Sequence, residues 1–317
     1  MSNNKKPKLI VILGPTASGK TELAIKLARK FNGEIVNADS RQIYKKMDIG
    51  TNKIDIGYWI LDKKNNVRKN NIQYPISNII PIYLISTINP DQQFSLAQYK
   101  KLGINKIKEI KRRNKIPFLV GGTGLYISSV IDNLEIPKAP PNNKIRERLN
   151  KLSAEKLFEK LRKVDLKSAK IIGKNNKRKL IRSLEVYEIT GRPFSAQQIK
   201  GQPLFNVLQI GIKIDREKLY KKIDQRVNKM IKIGLIEETK KLAEKYSFSL
   251  PAMSGIGYQE IGLYLKNKIT LDEAVQKIKF RTHQYARRQM TWFRRDKRIR
   301  WVGNYRETER VIENFLK

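Results

Sequence analysis

The 317-residue chain has no cysteine, which excludes disulfide staples, thiolate zinc sites and thiol nucleophiles, and suits a reducing compartment. Histidine is almost as scarce. The single copy, His283, stands in a basic helical stretch, so imidazole acid–base chemistry would have to come from that one residue. The apolar run at residues 9–13 is too short for a signal core or a membrane span, and the expectation is a soluble, cytoplasmic protein with no membrane partner. Acidic residues are few: 29 Asp and Glu stand against 67 Lys and Arg, a formal charge of +38. Such a surplus attracts polyanions, nucleic acid first among them. The abundance of Lys, Asn and Ile is also what an AT-rich genome produces without any ligand.

The length allows one large domain, or a core with a smaller insertion, without special staples. Residues 8–13 form an apolar β-type run that ends in Gly14-Pro15-Thr16-Ala17-Ser18-Gly19-Lys20-Thr21, and residues 22–31 then repeat apolar positions at helical spacing. The order is strand, glycine loop, helix. Further buried strands are predicted at 34–38 and 116–120, the latter after a basic amphipathic helix over 96–113. Strands alternating with helices predict an α/β fold with a parallel, P-loop NTPase-like sheet.

Residues 54–80 interrupt this order with Asn- and Lys-rich sequence around Tyr58, Trp59, Ile60 and Leu61, and read as a surface insertion, possible as a hairpin. Three prolines between 137 and 141 mark a boundary. Helices are predicted beyond it at 143–163, 166–172 and 176–190, the last stopped by Gly191 and Pro193. Strand character returns at 205–214, so residues 135–204 form a helical insertion in a core made of 1–134 and 205–317. The remainder predicts helices at 216–232, 235–245, 257–265 and 271–292.

The glycine loop matches the Walker A pattern. In that pattern backbone N–H groups turn onto phosphate oxygens, the lysine (Lys20) neutralises them and the threonine (Thr21) hydroxyl ligates Mg²⁺. The pattern specifies a diphosphate and says little of what is attached to it. A conventional Walker B is missing, because the strand ending Phe118-Leu119-Val120 runs into Gly121-Gly122-Thr123-Gly124 instead of an acid. The acid nearest a strand end is Asp39. Adjacent strand ends of a parallel sheet open onto one crevice, which makes Asp39 the candidate proton acceptor facing the glycine loop; its alternative role is to cap a helix starting near Ser40. Thr123 sits in a glycine turn where backbone can approach a ligand.

Near the C-terminus Arg281, Tyr285, Arg288, Trp292 and Arg295 share one helical face, with Gln284, Arg287, Thr291 and Arg294 beside them. Cations interleaved with rings suit phosphates and splayed bases; a solvated helix with buried aromatics would show the same spacing.

With these residues in place the chain resembles one family, the tRNA dimethylallyltransferases or isopentenyltransferases. The resemblance lies in residues 14–21, in Asn-Ala-Asp-Ser-Arg-Gln-Ile-Tyr at 37–44, in Met-Asp-Ile-Gly-Thr at 47–51 and in Leu-Val-Gly-Gly-Thr-Gly-Leu-Tyr at 119–126. It continues in Arg-Ser-Leu-Glu-Val-Tyr at 182–187, Thr-Gly-Arg-Pro at 190–193, Gly-Ile-Gly-Tyr-Gln-Glu at 255–260 and Arg-Arg-Gln-Met-Thr-Trp-Phe-Arg at 287–294.

The resemblance implies transfer of a dimethylallyl group from dimethylallyl diphosphate to the adenosine just 3′ of the anticodon, with Asp39 as base. It implies that Gly14 to Thr21 hold the diphosphate, with Mg²⁺ on Thr21. It further implies that Asp39, Ser40, Arg41, Gln42, Thr123, Arg146, Arg178, Lys179, Arg182, Gly257, Tyr258, Arg287, Arg288 and Arg294 meet the tRNA anticodon stem-loop, the insertion gripping the anticodon arm, and a monomer is expected.

The sequence departs from the family pattern in three places. Pro81-Ile82-Tyr83-Leu84-Ile85-Ser86 stands where the family usually has Pro-His-His-Leu-Ile-Asp, residues 54–80 are longer than usual, and Arg178-Lys179-Leu180 replaces Gln-Arg-Leu. Two rival readings share parts of this evidence: an ATP-dependent small-molecule kinase shares the Walker A and the α/β core, and a non-catalytic RNA-binding protein shares the charge.

Overall fold

The computed structural model describes residues 6–53, 60–61, 67–68, 80–197 and 199–317. Strand β1 (Lys8–Leu13) leads through the glycine loop into helix α1 (Lys20–Lys30), followed by β2 (Gly33–Asn37). The short β3 (Ile60–Leu61) and β4 (Val67–Arg68) pair antiparallel, and the rest of the 54–80 insertion up to residue 79, Tyr58 and Trp59 included, lies outside the described residues. Then come β5 (Ile82–Tyr83), α2 (Leu96–Arg112), β6 (Ile116–Gly121) and α3 (Gly124–Ile131). Helices α4 (Asn143–Asn150), α5 (Ala154–Val164), α6 (Leu166–Ile172), α7 (Lys177–Thr190) and α8 (Phe194–Gln197) precede β7 (Asn206–Ile212). The chain closes with α9 (Arg216–Lys232), α10 (Leu235–Ala243), a 3₁₀ turn at Ala252–Ser254, α11 (Tyr258–Leu265), α12 (Leu271–Phe293), β8 (Ile299–Val302) and α13 (Tyr305–Leu316).

Six strands form one parallel sheet in the order β5-β2-β6-β1-β7-β8. The run Leu9–Leu13 is apolar at every position because this central strand is covered on both faces, and Leu9 to Ile12 have no exposed surface. Each such aliphatic side chain contributes about 1.5–3 kcal/mol of burial. The strand order corrects one step of the sequence argument: β2 is separated from β1 by β6. Asp39 therefore reaches the glycine loop across two strand spacings, about 10 Å of backbone separation.

By its internal contacts the chain divides into one unit of residues 1–130 and 204–317 and a second of residues 131–203. The second is helical, with Leu149, Leu157, Leu161, Ala169, Leu180 and Leu184 as its own core. The predicted single helix over 143–163 is two helices. α4 closes at its C-cap Lys151, and the extended Ser153 then caps α5 by accepting the Lys156 N–H. In the larger unit a second apolar cluster, including Ile43, Met47, Val227, Met230, Tyr258 and Ile278, packs α9, α11 and α12 together. None of the described helices is long and apolar enough to cross a membrane.

Candidate active site

The glycine loop leaves β1 and enters α1 through Gly19, whose φ of +82° is a conformation that side-chain-bearing residues rarely take. The Pro15 carbonyl accepts the Ser18 N–H at 3.3 Å and the Lys20 Nζ at 3.3 Å. Ser18 Oγ is buried with no hydrogen-bond partner, an acceptor and donor left open inside the loop. Burial pushes the Lys20 ammonium down to about 8; the Asp39 carboxylate opposes that shift and Arg226 adds to it. Charge in the loop is thus held at a cost that an anion would relieve.

Arg226, on α9, is the residue that sequence reasoning missed. Its guanidinium donates to Thr16 Oγ1 at 2.7 Å, its Nε is buried without a partner, and it makes no ion pair among the described residues. Burial holds its pKa below the ordinary arginine value, with Asp39 partly opposing. No sequence signal distinguishes it, since α9 carries many other cations at similar spacing.

Thr16 and Arg226 face a crevice of about 480 Å³ that is also lined by Asp39, Thr123, Tyr285 and Gln289 among others. Among the described residues Asp39 is the only carboxylate on its lining. No helix begins at Ser40: the Asp39 Oδ1 instead accepts the Arg41 backbone N–H at 2.8 Å and closes a turn. The turn leaves Oδ2 for the crevice. Thr123 accepts the Ser40 backbone N–H at 3.0 Å. Burial first, and the Asp39 charge second, raise the Tyr285 phenol above its ordinary value, so it stays protonated as a donor.

The other predicted residues fall into three places. Arg41 lines the crevice, its guanidinium donating to the Pro251 carbonyl at 2.6 Å and to Ser254 Oγ at 3.3 Å. Gln42 turns away and donates to the Thr51 and Asn52 carbonyls, both at 3.1 Å. Gly257 and Tyr258 line the crevice, but Tyr258 is 1% exposed and donates to Glu238 at 2.8 Å. Its hydroxyl is thus engaged with α10 and its ring forms part of the crevice wall. Arg288 borders the crevice, and with Gln284, Arg287, Thr291, Trp292 and Arg295 it lines a cationic groove on α12; Arg294 is exposed.

Arg178 and Lys179 are exposed on α7 in the helical unit. In that unit Arg146 grips the fully buried Glu185 with two bonds of 2.7 and 3.0 Å, and Arg182 adds a third at 2.7 Å. Arg146 therefore ties α4 to α7, whereas Arg182 bonds Glu185 within α7 and donates to the Ala139 carbonyl ahead of α4 at 2.9 Å; the one carboxylate offsets one of their two charges. His283 is half-buried, its Nε2 2.9 Å from Asp224 Oδ1 and its ring stacked on Tyr220 at 4.0 Å. Its contacts are thus to α9.

Among the described residues no cluster of three or more His, Cys, Asp or Glu could hold a metal by itself. The donor set suits an ion that keeps most of its waters and borrows phosphate oxygens, as Mg²⁺ does, with Thr21 at the start of α1 as the protein ligand. The unpartnered Ser18 hydroxyl would suit a phosphate oxygen or a metal-bound water in the same loop.

Fold and site together define a P-loop α/β protein whose glycine loop and a carboxylate share a crevice bordered by cations. The family model described as IPP transferase matches residues 42–296, and that described as isopentenyl transferase matches residues 7–54. A tRNA dimethylallyltransferase of Acetivibrio thermocellus is 43% identical over 97% of this chain and 96% of its own. The crystal structure of the full-length tRNA isopentenylpyrophosphate transferase of Bacillus halodurans superposes with a TM-score of 0.68 at 35% identity, covering 98% of this chain and 96% of that one. A eukaryotic dimethylallyltransferase described as acting on tRNA gives 0.72 at 29% identity, covering 90% and 69%. The chain belongs to the IPP transferase family.

Proposed function

We infer that this protein transfers a dimethylallyl group from dimethylallyl diphosphate to N6 of the adenosine immediately 3′ of the anticodon, in tRNAs reading codons that begin with U, releasing diphosphate. The observation that carries this reading is that two buried cations, Lys20 and an Arg226 whose Nε has no partner, stand at the glycine loop, while among the described residues Asp39 is the one carboxylate on the crevice lining.

The barrier lies in separating the allylic carbon from its diphosphate. Lys20, Arg226 and the loop amides are set where negative charge grows on the leaving oxygen, and a prearranged cation is most effective there. Mg²⁺ held by Thr21 and diphosphate oxygens would supply further charge neutralisation. As the carbon–oxygen bond breaks, the exocyclic nitrogen forms the new carbon–nitrogen bond and its proton passes to Asp39. Asp39 is fixed by the Arg41 N–H and keeps its second oxygen for the amine. The adenine must leave the anticodon stack, which costs a few kcal/mol; Arg41, Ser40 and Thr123 border the space it would enter. Arg287, Arg288 and Arg294 on α12, with Arg178 and Lys179 on α7, are the cations proposed to meet the anticodon stem-loop, in a cytoplasmic monomer. Arg146 and Arg182 act by holding α7 in place.

Labelled dimethylallyl diphosphate and unmodified tRNA with Mg²⁺ test this directly. Label should enter tRNA with the wild type and not with Asp39→Ala, while tRNA affinity is retained. Turnover of ATP on a small acceptor without prenyl transfer would support a kinase instead; tRNA binding with no transfer would leave an RNA-binding protein.

A further inference from the structure

Gln289 carries no charge, yet it is the side chain most firmly tied to the two loops of the crevice. It is 5% exposed. Its Oε1 accepts the Thr16 backbone N–H at 2.8 Å, and its Nε2 donates to the Gly122 carbonyl at 2.8 Å. One amide on α12 thereby bridges the phosphate loop after β1 and the glycine loop after β6. A carboxamide offers an acceptor and a donor at once, which neither a carboxylate nor an ammonium does. Gly122 is needed at the other end, because a Cβ there would overlap the Gln289 amide.

The same turns of α12 carry the cationic groove: Arg288 precedes Gln289, and Thr291, Trp292 and Arg295 follow it. Thr16 also anchors Arg226 through its hydroxyl, so the bridge touches both the loop backbone and the buried cation.

We propose that Gln289 is a positioning residue that couples polyanion binding on α12 to diphosphate binding at the phosphate loop. This rests on the reading of the two surfaces as tRNA and diphosphate sites. A polyanion clamped on the arginines fixes α12, and the amide then fixes the spacing of Thr16 and Gly122; with the bridge broken, the loop and the Arg226 anchor lose that support. By linkage, diphosphate tightens tRNA by the same factor as tRNA tightens diphosphate.

The test measures calorimetric binding of inorganic diphosphate with Mg²⁺, with and without saturating tRNA anticodon stem-loop. Wild type should bind diphosphate about fivefold or more tightly with tRNA present. Gln289→Met keeps length and burial but removes both hydrogen bonds, and Gly122→Ala displaces the amide while leaving it in the chain. Each folded variant, checked by its melting temperature, should bring the ratio near one and raise the KM for dimethylallyl diphosphate more than it lowers kcat. A wild-type ratio of one, or a folded Gln289→Met that keeps the wild-type ratio, overturns the proposal. A tRNA-dependent diphosphate affinity without prenyl transfer sustains the coupling and sinks the assigned reaction; transfer without coupling does the reverse.

Discussion

Replacing Arg226 by methionine removes a buried guanidinium whose Nε has no partner and which donates to Thr16 Oγ1 at 2.7 Å. In the ligand-free protein that cation is desolvated with no carboxylate paired to it, and burial already lowers its pKa. An apolar side chain of similar length should therefore cost the free protein no stability, and the removal of a buried charge is often stabilising. With diphosphate bound the sign reverses. A hydrogen bond to a charged group contributes about 1.5–3 kcal/mol, so the dissociation constant for inorganic diphosphate should rise about 10- to 150-fold. At a hundredfold excess over the wild-type constant, the ligand stabilises wild type by about 2.7 kcal/mol and the variant by only about 0.3–1.4 kcal/mol. Thermal melting with and without diphosphate and Mg²⁺ reads both effects. A variant that melts several degrees lower without ligand, yet shows the full ligand-induced shift, would refute the assignment of Arg226 to the anion and make it a packing residue.

Asp39→Asn should lower transfer by about a hundred- to ten-thousandfold, the usual span for a removed general base, while filter binding of tRNA is unchanged. The Lys20 pKa is lowered from its ordinary 10.5 to about 8, so the unfolded chain binds more protons between those values. Ligand-free stability should therefore rise as pH increases from about 8 towards 10.5; diphosphate affinity should fall over the same range as the ammonium is lost, and Lys20→Met should abolish both trends. Glu238 accepts the N–H groups of Asp48, Ile49 and Gly50 at 2.8, 2.8 and 3.0 Å and the Tyr258 hydroxyl at 2.8 Å. Glu238→Ala should cost about 2–4 kcal/mol in urea unfolding, from the donors left unsatisfied.

The phosphate loop and its flanking elements were legible because their signal is local: an apolar run, glycines at set spacing and a helical period. Elements whose stability comes from neighbours were not. The two-residue β5 exists because Ile82 and Tyr83 pair with Ile35 and Val36, and β8 carries the exposed Arg300 in its middle. α3 is short and almost wholly apolar, and shows little helical contrast against a strand. In the site, Asp39 was found from its place at a strand end, whereas Arg226 and Gln289 were not. One lies among the cations of α9 and the other beside the arginines of α12, and only tertiary packing turns them onto Thr16. The same limit hides the burial of Tyr258 and its bond to Glu238, 20 residues away in the chain.

The most direct measurement is nucleoside analysis of a tRNA reading codons that begin with U, incubated with the protein, dimethylallyl diphosphate and Mg²⁺. The account predicts one isoprene unit on N6 of the adenosine immediately 3′ of the anticodon and one diphosphate released per unit, with neither seen for Asp39→Ala. An unmodified adenosine with active, folded protein, or a prenyl group on another nucleoside, would contradict it.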